Sequence, residues 1–212
     1  MIVKIISTAL ALLGAAAVIP GGTPSAFAAK GVLLDEGKVL REFFPGADRI
    51  EVQDVIVTPE LALRLKSRLG YLPVAPKYEV HVGWKDGREL GYAIIDEEKG
   101  MHEPITFAVL IAPDGSVKRQ EVMVYRETEG DGVTARRFTR QFIGKTMKDP
   151  IRAGIDITIV SSATISSNSM AVGVRRAVAL VGEGILAVPA AERASLGPNS
   201  AALRVAPARS GS

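Results

Sequence analysis

Between residues 77 and 128 apolar residues recur at alternate positions, and this alternation constrains the fold more than any other feature of the chain. Such alternation is typical of β-strands that bury one face. Lys85-Asp86-Gly87 and Pro113-Asp114-Gly115 interrupt the segment, and residues of these types favour tight turns between antiparallel strands. The segment therefore predicts two hairpins, with strands near 78–82, 90–95, 105–111 and 117–125.

Helical patterns flank these strands. Residues 32–44 carry apolar side chains at helical spacing, and the pattern stops at Pro45-Gly46. Thr58-Pro59-Glu60 combines an N-cap hydroxyl, a proline whose missing N–H costs nothing in the first turn, and an acid near the positive end of the helix dipole. It predicts a helix through Leu61, Leu65 and Leu69 that ends at Gly70.

The remaining elements are shorter. Residues 50–57 and 155–160 predict two more strands, and residues 136–142 have a helical pattern. Ser166 or Ser167 is the predicted N-cap of a final helix. Helices on both sides of a meander indicate an α+β fold, with an antiparallel sheet of about four to six strands and flanking helices.

The two ends of the chain differ from its middle. Lys4, the apolar run 5–19 and Ala26-Phe27-Ala28 together predict a secretory signal peptide cut after Ala28. An uncleaved membrane anchor is the alternative. Beyond about Pro189 the composition of Ala, Ser, Pro and Gly predicts a disordered tail. We therefore expect a signal peptide at 1–28, one domain at 29–188 and a tail at 189–212.

Composition excludes several classes of function. The chain has no cysteine, which rules out thiolate metal sites, Cys-ligated iron–sulfur clusters and C-x-x-C-H haem attachment. Its 26 basic and 23 acidic residues give a net charge of +3 and are mixed along the sequence, so no nucleic-acid partner is predicted. A zinc site built on His81 and His102 lacks the usual ligand spacing, and no G-x-S-x-G motif supports hydrolase chemistry.

Residues 161–167 read Ser-Ser-Ala-Thr-Ile-Ser-Ser and lie between a short apolar run and a helical pattern. Small and hydroxylated residues before a helix allow backbone N–H groups to approach an anion, with the positive end of the helix dipole behind them. The segment therefore favours a phosphate site. The same composition is also typical of a solvated loop with an N-cap, so composition alone leaves both interpretations open.

The chain resembles the FMN-binding domain family, which includes flavin-carrying subunits of the sodium-pumping NADH:quinone reductase and of the Rnf electron-transport complex, together with stand-alone exported flavoproteins. The family motif is Ser/Thr-Gly-Ala-Thr followed by a helix, and its last Thr carries FMN through a phosphoester; Thr164 stands at that position. The resemblance covers about residues 32–182, and these blocks also carry it: Phe44-Pro45-Gly46, Thr58-Pro59-Glu60, Gly100-Met101-His102-Glu103-Pro104-Ile105-Thr106, Val124-Tyr125-Arg126-Glu127-Thr128 and Gln141-Phe142-Ile143-Gly144-Lys145.

Two residues depart from the family pattern. Ser162 replaces the usual glycine, and Thr158 stands where an Asp is common, six residues before Thr164. If the glycine serves a positive φ, serine costs on the order of 1 kcal/mol there. Asp156, two residues further back, is a candidate to take over the acidic role.

The resemblance implies an exported flavoprotein that carries electrons in a membrane-associated or periplasmic redox chain, rather than a stand-alone enzyme. It implies FMN on Thr164, attached by a flavin transferase, and redox donor and acceptor proteins at the membrane as partners. The implied cofactor-binding residues are Ser161, Ser162, Ala163, Thr164, Ile165, Ser166, Glu127, Thr128, His102 and Glu103. A flavin-free binding or assembly module of the same fold and a small flavin-dependent reductase are the alternatives.

Overall fold

A computed structural model describes residues 31–73 and 75–188. The predicted signal peptide and tail lie outside these residues. Within them, the sheet contains five antiparallel strands in sequence order, so each strand pairs with its neighbour along the chain. The strands are β1 (Arg49–Ile56), β2 (Lys77–Lys85), β3 (Arg88–Lys99), β4 (Pro104–Ile111) and β5 (Val117–Val124). The predicted α+β class, strand number and hairpins are confirmed.

The turn between β2 and β3 shows how local sequence fixes the register. Lys85 pairs with Arg88, which leaves Asp86 and Gly87 as a two-residue loop. Both have positive φ, at 50° and 73°. This is the combination that matches the twist of antiparallel strands, and an Asp-Gly pair supplies it at low cost.

Within the described residues, four α-helices flank the sheet: α1 (Glu36–Phe43), α2 (Pro59–Leu69), α3 (Arg136–Thr139) and α4 (Thr164–Val181). Helix α2 begins and ends where the sequence predicts, because the Thr58 side chain accepts a hydrogen bond from the Leu61 amide at 3.2 Å and Gly70 is the left-handed C-cap. A 3₁₀ turn precedes α3 at Asp131–Thr134, another follows it at Arg140–Phe142, and a π-helical turn, Gly182–Leu186, extends α4. Among the described residues, no helix is long and apolar enough to cross a bilayer.

The helices cover both faces of the sheet. Alternate strand residues face α2 and α4 in the larger core, including Val80, Tyr92, Ile94, Ile105, Phe107 and Val109. The opposite face packs on α1 in a smaller core that includes Val39, Leu40, Phe43, Ala93, Ala108 and Met123. Successive residues of a strand therefore point to opposite faces of the sheet, and both faces are buried, as expected of a sheet between helical layers.

Helix α4 is held against the sheet by a close contact and an ion-pair network. A β-carbon at Gly173 would collide with the Phe107 ring, so this glycine lets the helix backbone approach the strand. Three residues on, the Arg176 guanidinium donates to Asp96 Oδ2 from Nε at 2.8 Å and from Nη2 at 2.6 Å. It also binds the Glu98 carboxylate. Only 9% of the Arg176 side chain is exposed. The ion pairs that link α4 to β3 are therefore largely shielded from solvent.

The structure corrects two expectations near α4. Residues 155–160 do not form a strand, because a turn occupies 154–156 and only Ala153 and Ile157 form a single bridge. Neither Ser166 nor Ser167 caps α4, which begins at Thr164 with Ala163 at the N-cap. Ser167 is fully buried, and its hydroxyl accepts a hydrogen bond from the Val160 amide at 3.1 Å. It braces the preceding loop rather than the helix end.

Replacing Arg176 by Met should lower the free energy of unfolding by about 3 kcal/mol, because the change keeps much of the side-chain volume but leaves two partly buried carboxylates without their cation. Chemical denaturation measures this. Arg137, which is exposed on α3, provides the control, since R137M should change stability by no more than about 0.5 kcal/mol. Equal effects of the two substitutions would contradict the role given to the network.

Candidate functional site

A hollow of about 260 Å³ lies where three segments meet: residues 101–102 before β4, residues 127–129 after β5, and residues 162–166 at the start of α4. The first two segments are neighbours because β4 begins and β5 ends at the same edge of the sheet. Helix α4 brings the third to that edge. Ten residues line the hollow: Met101, His102, Glu127, Thr128, Glu129, Ser162, Ala163, Thr164, Ile165 and Ser166.

The family resemblance implies ten cofactor-binding residues, and eight of them line the hollow. These eight come from three segments that are more than 20 residues apart in sequence. The other two, Ser161 and Glu103, do not line it. Glu103 still contributes through its backbone, because its amide donates to Glu127 Oε1 at 3.2 Å. Met101 and Glu129 also line the hollow but were not predicted to do so, although Met101 lies in one of the blocks that carry the family resemblance.

Glu127 fixes the loop that precedes β4. Its Oε1 accepts hydrogen bonds from the amides of His102, at 2.7 Å, and Glu103. The loop is closed by a further bond from the Gly100 amide to the Glu103 carbonyl at 3.0 Å, and a β-carbon at Gly100 would collide with the Glu127 carboxylate. The hydrogen bond from the His102 amide lowers the pKa of Glu127 below its ordinary value. Its negative charge is therefore present at neutral pH and holds the loop in place.

Tyr125 connects the second and third segments and was assigned no role from sequence. Its side chain is buried, and its hydroxyl donates to the Glu129 carbonyl at 2.6 Å and lies 3.3 Å from Ser166 Oγ. Burial raises the pKa of the phenol, so it remains protonated and able to donate. Gly130, packed against Tyr125 and Ala163, completes this contact between the loop after β5 and the start of α4.

The first residues of α4, Thr164 to Ser166, line the hollow. The first amides of a helix have no acceptor within the helix, and Ala163 at the N-cap has no side chain that could accept a hydrogen bond from them. The first residue, Thr164, is exposed and lines the hollow. An exposed threonine therefore stands at the positive end of the helix dipole, among N–H groups that have no acceptor within the helix, and this arrangement suits a phosphate.

Ser162 has a left-handed backbone conformation, which glycine adopts without steric cost. Its φ is +66°, in the left-handed region that costs a residue with a β-carbon about 1 kcal/mol or more. The segment that leads into α4 therefore contains a serine in a conformation that costs it energy.

Asp156 does not take over the acidic role near Thr164. Its carboxylate accepts hydrogen bonds from Lys145 Nζ at 2.8 Å and from the amides of Ile151 and Arg152 at 3.2 and 2.8 Å, and it does not line the hollow. Thr158 is exposed, and its amide and carbonyl both bond the Gln141 side chain. Asp156 therefore shapes the loop 145–152 and is committed away from the hollow.

The histidines lie in different surroundings. His81 is buried on β2, 3.8 Å from Glu36, and burial lowers its pKa. His102 is exposed at the hollow. Within residues 31–73 and 75–188, no three His, Cys, Asp or Glu side chains are grouped so as to hold a metal ion.

Substituting Ser162 by Gly should raise the free energy of unfolding by about 1 kcal/mol, because glycine adopts a positive φ without steric cost. Urea denaturation measures the change. Ser161 is exposed and has no positive φ, so S161G is the control and should be neutral or slightly destabilising. Stabilisation by S161G but not S162G would contradict the strain assigned to position 162.

The hydrogen bonds to Glu127 also predict a pH dependence. A carboxyl group with a lowered pKa in the folded protein stabilises the fold above the pKa of the unfolded chain, and this contribution is lost as pH falls through the folded value. The His102 amide resonance should therefore titrate with a midpoint below the ordinary glutamate pKa. The variant E127Q should abolish this titration, whereas E121Q, on β5, should leave it unchanged. A midpoint at or above the ordinary value would contradict the assignment.

Comparison with known proteins found a similarity in the part of the chain that contains the hollow. Residues 100–179 match the sequence model of a family described as FMN-binding domain. Among solved structures, the chain is similar to the crystal structure of Shewanella oneidensis NqrC, with 18% sequence identity and a TM-score of 0.42, over 69% of this chain and 83% of that chain. No curated protein matches the sequence. The matched segment contains every residue that lines the hollow, so the hollow lies in the part of the chain that is similar to FMN-binding domains.

Proposed function

We propose that this protein is an exported electron carrier whose FMN is joined to Thr164 by a phosphoester. The observation that carries the proposal is the accessible Thr164 at the first turn of α4, within a hollow that also contains Glu127, Thr128 and His102. The signal-peptide pattern at residues 1–28 supports export. Redox proteins at the outer face of the cytoplasmic membrane are the proposed donor and acceptor.

The residues at the hollow suit each part of FMN. Amides at the start of α4 suit the phosphate, and the exposed side chains of Met101 and Ile165, which are 59% and 48% exposed, offer apolar surface to the ring. A volume of about 260 Å³ is just below the range of roughly 300–1,000 Å³ typical of sites that enclose a small molecule. The ring would therefore remain partly outside the hollow, accessible to a partner protein.

When bound, FMN supplies one- and two-electron chemistry, and the protein positions the cofactor and sets its surroundings. Glu127 holds the loop at 100–103 against the segment after β5. Tyr125 holds that segment against α4. These two side chains keep the three walls of the hollow together, so the orientation of the ring would depend on them.

Attachment requires a separate flavin transferase with FAD as the donor. The Thr164 hydroxyl would attack the FMN phosphorus, the pyrophosphate bond would break, AMP would leave, and the hydroxyl proton would pass to a base. Ser162 supports this step because it keeps the loop in the glycine-type conformation. Thr158 works against it, since the acid that the transferase reads in the family is missing at that position.

The test is the intact mass of the protein after co-expression with such a transferase. The wild-type chain should gain the mass of one esterified FMN and show flavin fluorescence on a denaturing gel, and T164A should lose both, because it removes the esterified oxygen. T164S should retain partial loading. S161A is the control, because Ser161 does not line the hollow, and it should load fully.

Three results would replace the proposal. An unmodified, colourless wild-type chain would favour the flavin-free module. Modification of T164A would place the ester on another hydroxyl, although Ser166 and Ser167 are only 5% and 0% exposed. Steady-state turnover by the holoprotein with one donor and one acceptor, in the absence of partner proteins, would favour a reductase.

A further inference from the structure

Two further hollows lie along α4, away from Thr164. Two hollows of about 270 and 260 Å³ share Ile151, Arg152 and Arg175 and together form one groove between α4 and the loop 146–155. We call it the arginine groove. It shares no lining residue with the hollow at Thr164, so the two regions can be tested independently.

The arginine groove carries unmatched positive charge. Its larger hollow is lined by Arg68, Arg152, Arg175 and one acid, Asp149. Arg68 is paired with Glu183 at 3.0 Å, and Asp149 accepts from the amide and the hydroxyl of Thr146 at 2.9 and 3.0 Å. Within the described part of the chain, neither Arg152 nor Arg175 forms an ion pair with a carboxylate.

Arg175 is the most informative of these residues. Its Nε is buried and has no hydrogen-bond partner among the described residues. A buried donor without an acceptor is costly, on the order of 1–3 kcal/mol and more for a charged group. A ligand in the groove that accepted hydrogen bonds from the Arg175 guanidinium would offset this cost, and the positive charge of the guanidinium favours an anion over a neutral molecule.

The loop 146–155, which forms the other wall of the groove, contains a residue in a strained backbone conformation that hydrogen bonds hold in place. Ile151 is buried with a φ of +44°, an unusual conformation for a β-branched residue. Asp156 holds it there through the amides of Ile151 and Arg152. Backbone strain of this kind persists only where the surroundings enforce it and is common at binding sites. Here it fixes the position from which the Arg152 side chain reaches the groove.

From these observations we infer that the arginine groove binds a phosphate monoester with an apolar body, its phosphate held between Arg152 and Arg175. Two guanidinium groups match the charge of a dianion, and their planar donors suit phosphate oxygens. The apolar part would contact Met147, Pro150, Val178 and Ala179, which line the same hollow. The source of the phosphate group is either a soluble ester or the headgroup of a lipid.

The test uses the full chain without flavin at constant ionic strength. Titration with phenyl phosphate, followed by amide NMR, should show saturable shifts near Ile151, Arg152 and Arg175, with tighter binding than inorganic phosphate because the ring contacts the apolar wall. R152Q and R175Q should each weaken binding about tenfold, since each removes charge-assisted hydrogen bonds. Arg88, exposed at the β2–β3 turn, provides the control: R88Q should change affinity by less than about twofold.

If R175Q fails to fold, R152Q still tests the proposal. Arg152 is exposed, so its substitution should not prevent folding. Shifts confined to Thr164, Ile165 and Ser166, or equal weakening by R88Q and R152Q, would overturn the proposal. Vesicles of phosphatidylcholine with phosphatidic acid identify the source of the phosphate. Binding that requires Arg152 assigns a lipid headgroup, and binding of phenyl phosphate but not vesicles assigns a soluble ester.

Discussion

The attachment of α4 to the sheet is the constraint on which the rest of the structure depends. Arg176 binds Asp96 and Glu98 on β3, and Gly173 lets the helix backbone lie against Phe107. A helix rises about 1.5 Å per residue, so Thr164 lies about 18 Å along the axis from Arg176. Because the helix is rigid over that length, the ion pairs on β3 also fix where its first turn meets the ends of β4 and β5.

The same helix contributes to two regions that suit anions by different physical means. At its start, open backbone amides and the helix dipole supply partial positive charge without any basic side chain in the first turn. Further along, Arg175 supplies a full charge beside apolar residues. The net charge of +3 gives no indication of either region. Acidic and basic residues are mixed along the sequence, and only folding brings several basic residues together at one surface.

Elements with strong local signals were predicted from the sequence at the right positions, although β2 and β3 are longer than predicted. Helix α2 follows from its proline, its Thr58 cap and its terminal glycine, and the hairpins follow from alternation and turn residues, because the information lies within a few neighbouring positions. Residues 155–160 were predicted wrongly, since a short apolar run has no periodicity to separate a strand from a loop. Their conformation depends on Asp156, whose partners include Lys145, 11 residues earlier.

The sequence alone determined the α+β class and the two hairpins of β2 to β5 and, through its resemblance to a family, predicted the residues around Thr164. Only the tertiary structure decided that Tyr125 joins two walls of the hollow, that Ser162 has a positive φ, that Asp156 is committed elsewhere, and that Arg152 and Arg175 share a groove. The physical reason is that strand period and helix caps are local, whereas hydrogen-bond partners and burial depend on residues that folding brings together from distant parts of the chain.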